Sequence, residues 1–178
     1  MKKTLSSFVC IYMLMLATRL FANGVSPLQL LYVVKQVFPD QEQVTVFISK
    51  GQFAELEEKI NRAAAQSHLK VQVCVVESSS GIGSMLSSME RNSVLVLLES
   101  DLLLNSTTKL YILSKCKEKQ IAIVTSSKTY SDSGALVAVI KDQSDKPILI
   151  LNLKQNEHLK VLFTQELIAK IGFSDVIL

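Results

Sequence analysis

Ser93-Val94-Leu95-Val96-Leu97-Leu98 decides the fold, because five of its six residues are apolar and no polar residue recurs at every second position. A strand with one wet face alternates; a continuous apolar run of this length belongs to a strand covered on both faces, as in the middle of a parallel sheet. Parallel neighbours require crossover connections, most often helices, and the flanking sequence supplies them. Upstream, Ser26-Pro27 opens a helix whose Leu30, Leu31, Val34, Val37 and Phe38 share one face, and Phe38-Pro39-Asp40 stops it. Val44 to Ile48 reads as a first strand. The following helix carries Phe53, Leu56, Ile60, Ala63 and Ala64 opposite Glu55, Glu58, Lys59 and Arg62. A second strand, Leu69 to Val76, leads through a loop, Glu77 to Gly83, into a short helix, Ser84 to Glu90. Downstream, Asn105 or Ser106 caps a helix reaching about Lys119, and Ile121 to Val124 is a fourth strand.

Beyond Val124 the pattern changes. Thr125 to Ser133 is a polar loop, and the apolar runs Gly134–Ile140 and Pro147–Leu151 are separated by a spacer too short for a helix, Lys141 to Lys146. Such a spacer makes a hairpin, so these strands are expected to be antiparallel neighbours at an edge. Asn152 to Ile171 continues in helical turns to a stop at Gly172. The expected architecture is an α/β three-layer sandwich, with a mostly parallel sheet and a C-terminal antiparallel hairpin.

The first 22 residues read as a secretory signal rather than as structure. Lys2 and Lys3 precede an apolar run from Phe8 to Ala17, and Leu20-Phe21-Ala22 offers a small residue for cleavage. The mature chain, Asn23 to Leu178, is then expected to be a single periplasmic domain. Loss of Lys2, Lys3 and Arg19 lowers the 19 Lys and Arg to 16, equal to the 16 Asp and Glu. A neutral domain lacks the basic signature of nucleic-acid binding.

Few residues of this chain suggest chemistry. Cys74 and Cys116 are either a disulfide of the oxidising compartment or two separately buried thiols. With only His68 and His158, and no paired ligand spacing, neither a metal site nor a catalytic triad is expected, and nothing calls for a cofactor. Glu99 and Asp101 read as loop or helix-start charges, and Glu55, Glu57 and Glu58 as a solvated helix face. Loops after parallel strands gather at one sheet edge, where open α/β folds bind ligands. On that ground Ser78, Ser79, Ser80, Gly81, Gly83 and Ser84, together with Thr125, Ser126 and Ser127, are the candidate ligand loops. Gly81-Ile82-Gly83-Ser84 lacks the lysine of a P-loop and the full dinucleotide fingerprint, and also fits an ordinary flexible loop. The tail Phe173-Ser174-Asp175-Val176-Ile177-Leu178 is apolar where a chain end is ordinarily polar. Either it folds back on the core, or Phe173, Val176, Ile177 and Leu178 form a partner surface.

Several stretches of this chain resemble the YfiR-like periplasmic proteins. They are Thr125-Ser126, Ser133-Gly134-Ala135-Leu136-Val137, Ile150-Leu151-Asn152-Leu153-Lys154, the segment from Leu159-Lys160 to Ala169-Lys170, and, near the start, Tyr32 to Pro39. Phe38 stands where that family usually shows Trp, and Ala135 replaces a second glycine. The resemblance implies a non-enzymatic regulator that binds and represses the periplasmic sensor domain of a membrane-bound signalling protein, a diguanylate cyclase of cyclic-di-GMP signalling. Asn152 to Lys170 and the tail would be its contact segments. The alternative is a small periplasmic solute-binding protein resembling one lobe of a transporter-associated receptor, which would take a small-molecule ligand. Either reading is compatible with a homodimer.

Overall fold

The computed structural model describes residues 24–178, so the signal reading of Met1 to Ala22 lies outside the described residues. The first element, α1 (Pro27–Val37), starts where Pro27 follows a capping box: Ser26 accepts from the Gln29 backbone, and the Gln29 side chain accepts from Ser26. Strand β1 (Gln43–Ser49) runs into α2 (Lys50–Ser67), which ends with His68 in the left-handed region at φ 54°. Then follow β2 (Lys70–Val76), α3 (Ser79–Ser88), β3 (Val94–Leu97), α4 (Asp101–Leu104), α5 (Ser106–Lys119) and β4 (Ala122–Thr125). The last third holds α6 (Lys128–Ser133), β5 (Val137–Lys141), β6 (Pro147–Asn152), a 3-10 helix (Glu157–Leu162), α7 (Gln165–Ile171) and β7 (Asp175–Ile177).

These strands form one sheet in the order β2-β1-β3-β4-β5-β6-β7. The first five are mutually parallel, β6 is antiparallel to β5, and β7 is parallel to β6. Alternation along β3 divides the core between the two faces. Val94, Val96 and Leu98 join a cluster with Leu30 and Val34 of α1, Ile60 and Ala63 of α2, and the half-buried Leu167 and Ile168 of α7. Leu95 and Leu97 join the opposite cluster with Phe47, Ile82 and Leu86 of α3, Leu103 of α4, Ile112 and Cys116 of α5, and Tyr130 of α6. The molecule is therefore a three-layer α/β sandwich.

Four expectations need correction. The glycine-rich segment is not a loop: α3 starts at Ser79, so Ser79, Ser80, Gly81, Gly83 and Ser84 lie within a helix whose Ile82 and Leu86 are buried. The polar stretch after β4 contains α6, because Tyr130 is pulled into the core and its hydroxyl donates to the Leu103 carbonyl at 2.7 Å. Gly134, at φ 124°, closes that helix, and strand pairing of β5 with β6 begins only at Val137. The hairpin is not at the edge, because the tail adds β7 outside it.

That tail folds back. Val176 pairs with Leu151, and the Leu153 N–H donates to the Ile177 carbonyl at 2.8 Å. Phe173 meets Phe163 edge-to-face with ring centres 6.3 Å apart, and both pack on the α1/α2 side. Phe173 and Val176 thus cover core rather than await a partner, Ile177 is half-buried, and Leu178 alone of the four candidates remains largely exposed.

The central position of β3 sets an expected outcome. Leu97→Ala should cost about 2–5 kcal/mol, the range for emptying a buried leucine site, whereas Leu110→Ala, on the exposed side of α5, should stay within about 0.5 kcal/mol. Urea unfolding of the two variants compares them directly.

Candidate functional site

The chain leaves β1 for β2 on one side of the sheet and returns to β3 on the other, so the order reverses between β1 and β3. At such a switch point the two outgoing loops diverge and leave a crevice outside the carboxyl ends of the strands. A small hydrogen-bonded bridge spans it. The Ser49 hydroxyl donates to the Gln52 side-chain oxygen at 2.9 Å, and the Gln52 amide donates across the crevice to the Glu99 carbonyl at 2.7 Å. Residues from the first turn of α2 and from the loop after β3 are thereby tied together.

Two hollows share this bridge as a wall. The larger, about 770 Å³, is bounded by Ser26 and Gln29 of α1, Gln52, Glu55, Leu56 and Lys59 of α2, Leu98 and Glu99 after β3, Ser126 after β4, and Lys141, Asp145 and Pro147 of the β5–β6 hairpin. The second, about 540 Å³, is lined by Ser49, Gly51, Gln52, Glu99, Ser100, Asp101 and Leu102. Charge in the larger hollow is arranged as two pairs, Glu55 with Lys59 at 2.7 Å and Lys141 with Asp145 at 2.9 Å. Lys59 holds the Glu55 carboxyl below its ordinary range through a hydrogen bond and its charge. Glu99 and Asp101 make no ion pair among the described residues. The floor is apolar where Leu56, Leu98 and Pro147 contribute. Such a site can bind a small molecule with polar ends, and among the described residues no His, Cys, Asp and Glu cluster could hold a metal ion.

The sequence-derived candidates are dispersed by this geometry. Ser126 lines the larger hollow, but its neighbours serve the scaffold: the buried Thr125 hydroxyl donates to the Leu97 carbonyl at 3.2 Å and accepts from the Ser127 N–H at 3.1 Å. Ser79, Ser80 and Gly83 border a separate groove of about 290 Å³ with Asn105, Thr107, Thr108 and Tyr111. Ser79 and Thr108 hydroxyls bond to each other at 3.0 Å, and Gly83 makes room for the Tyr111 hydroxyl, which lies 2.8 Å from where a Cβ would stand. The Ser78 and Ser80 hydroxyls bond to each other at 2.9 Å, and the Ser84 hydroxyl returns to the Gly81 carbonyl at 2.9 Å. Gln52, Gln29 and Lys141 were not among those candidates. Gln52 escapes a rule that looks for ligands in the loops after parallel strands, because it lies already inside the first turn of α2.

Cys74 and Cys116 are free thiols. Cys74 lies on edge strand β2, which α3 covers, and Cys116 lies on α5 in the same apolar cluster. The intervening α3 packs against both β2 and α5, which accounts for the lack of a bond. Burial pushes the Cys116 thiol up to about 12 and raises Cys74 as well.

The family model for ABC transporter substrate binding proteins matches residues 26–146, and the chain belongs to that family, whose members are typically extracellular or periplasmic. Among solved structures, a conserved domain protein from Vibrio cholerae O1 biovar El Tor has a TM-score of 0.71 at 15% identity, covering 86% of this chain and 61% of that one. The ABC domain from Streptococcus pneumoniae in complex with L-Trp has a TM-score of 0.67 at 15% identity, over 85% of this chain and 60% of that one. CD0873 from Clostridium difficile, a substrate binding protein with adhesive properties in its ligand-free, open structure, has a TM-score of 0.62 at 14% identity, over 84% and 56%. This chain thus spans about 60% of the length of the structures it matches. No curated protein matches it in sequence. Among the described residues, no helix is long and apolar enough to cross a membrane.

These findings overturn the YfiR-like resemblance, and with it the regulator of a membrane diguanylate cyclase. The family match runs through Tyr32 to Pro39, Thr125-Ser126 and Ser133 to Val137, three of the stretches that carried the resemblance, and no YfiR relationship emerges.

The raised thiol sets a pH dependence. A Cys116 that ionises near 9 when unfolded and near 12 when folded leaves stability intact below pH 9 and withdraws it as pH rises toward 12, because only the unfolded chain gains the thiolate. Between pH 9 and 10 the protein should lose about 1 kcal/mol more than its Cys116→Val variant, measured by urea unfolding at each pH.

Proposed function

We propose that this chain is an exported, non-enzymatic binding lobe of the ABC transporter substrate-binding type, and that it takes a small polar molecule at the switch-point crevice. The supporting observation is the Gln52–Glu99 bridge. It stands at a switch point, where open α/β sheets in general bind ligands, between two hollows that together offer paired charges, unpaired carboxylates and apolar lining. Ligands of such folds sit in a crevice outside the carboxyl ends of the strands, and in this reading the hollows beside the bridge are that crevice. The mature chain from Asn23 onward acts as a single domain in this reading, with Met1 to Ala22 as its export signal. Turnover is not part of the function; selectivity and delivery are.

L-Trp is the first probe, since the pneumococcal domain of the same fold is seen with it, followed by a panel of other amino acids and small organic ions. A ligand at 100 times its dissociation constant stabilises the folded state by about 2.7 kcal/mol, which should raise the melting temperature by roughly 5–11 °C for a chain of this size. Glu99→Gln, a change on exposed surface, should leave the ligand-free melting temperature almost unmoved and weaken the ligand-induced rise. A melting temperature that no small molecule raises, or a rise indifferent to Glu99, would sink the reading.

A further inference from the structure

The two edges of the sheet are protected very differently. The β7 edge is three residues long and begins with Asp175. The β2 edge is seven residues long, its register against β1 is unbroken, and Val71 to Val76 contains no proline and no charge. Sheet edges in native proteins are ordinarily shortened, charged, bulged or covered, because bare main-chain groups recruit another strand.

The phase of hydrogen bonding shows which groups are bare. The Lys70 N–H donates to the Glu42 carbonyl at 2.7 Å, so Lys70, Gln72 and Cys74 turn their main-chain groups toward β1. Val71, Val73 and Val75 therefore turn theirs outward. Their side chains lie on the face shared with α1 and α2, where all three are half-buried at the rim of the core.

We propose that the β2 edge pairs with the β2 edge of a second copy of this chain, antiparallel about a two-fold axis at Val73. A two-fold axis perpendicular to the sheet keeps each face on its own side and makes the interface self-complementary. Centred on Val73, it sets Val71 against Val75 of the second copy and Val73 against Val73, so every outward main-chain group finds a partner and the valine stripe becomes continuous. Cross-strand β-branched pairs stabilise a sheet. Centred on Cys74 instead, the axis sets Val71 against Glu77 and loses that match. The second copy is the occupant because the strand is complementary to itself in this one register, and the result is a continuous sheet of 14 strands, twice the seven of one copy.

Light scattering on the size-exclusion eluate, from low to high micromolar concentration, should give the mass of a dimer. Val73→Pro should give a monomer with unchanged circular dichroism, because the Val73 N–H faces away from β1 and proline is tolerated at such edge positions. Val73→Lys, which keeps the backbone free, should do the same. In a Cys74→Ser background, Val73→Cys should form a covalent dimer on mild oxidation, since facing residues of a hydrogen-bonded antiparallel pair lie about 5.5 Å apart between Cα atoms, within disulfide reach. A monomer at every concentration, a dimer that survives both Val73→Pro and Val73→Lys, or the absence of the Val73→Cys cross-link overturns the proposal.

Discussion

Burial of β3 on both faces is the constraint from which the rest of the molecule follows. Val94, Val96 and Leu98 point to one layer and Leu95 and Leu97 to the other, each almost fully buried. A strand apolar on both faces is stable only if helices lie on both sides, and helices reach both sides only through crossovers. Crossovers make neighbouring strands parallel, and parallel strands send their outgoing loops to a single edge. The site therefore arises from β3 without any single residue having to dictate it.

Gln52 and Glu99 express that constraint at the edge. They are 47 positions apart in sequence, yet the β1–β3 pairing brings the ends of their strands together, with Phe47 beside Leu97. On the other side of β3, the pairing with β4 sets Thr125 beside Leu97 and buries it, and its hydroxyl is consumed by the Leu97 carbonyl and the Ser127 N–H. Thus a row of chemically similar hydroxyls is sorted by depth: Thr125 and Ser127 hold the loop, and Ser126 lines the hollow.

The layering was legible because it depends on hydrophobic period, which is local. The hairpin was legible because a short spacer permits no other connection. What escaped was structure decided by tertiary burial. Ser79 to Gly83 reads as a loop on propensity, and becomes helical because Ile82 and Leu86 complete the α3 layer. Asp175 to Ile177 is too short to signal a strand, and pairs only because β6 offers it an edge. The residues behind the YfiR-like likeness turn out to build a corner. The Asn152 amide donates to the Ser131 carbonyl at 2.9 Å, Asn156 donates to the Gly134 and Asn152 carbonyls, and Gly134 adopts a φ that other residues rarely take. Motifs that solve a turning problem recur wherever the turn recurs, so they carry little information about function.

Strand β6 has one neighbour joined through a short turn and another that arrives only after the 3-10 helix and α7. The first closure is local and fast, whereas the second must bring distant segments together before any contact repays the entropy. With only three residue pairs, β7 is also the shortest route by which the sheet can fray. The Ser174 amide proton, which donates to the Leu149 carbonyl where β7 begins, should thus exchange through local opening far below the energy of global unfolding, while those of β3 wait for the whole molecule to come apart. The sandwich accordingly has a graded cohesion, firm at its centre and yielding at its C-terminal margin.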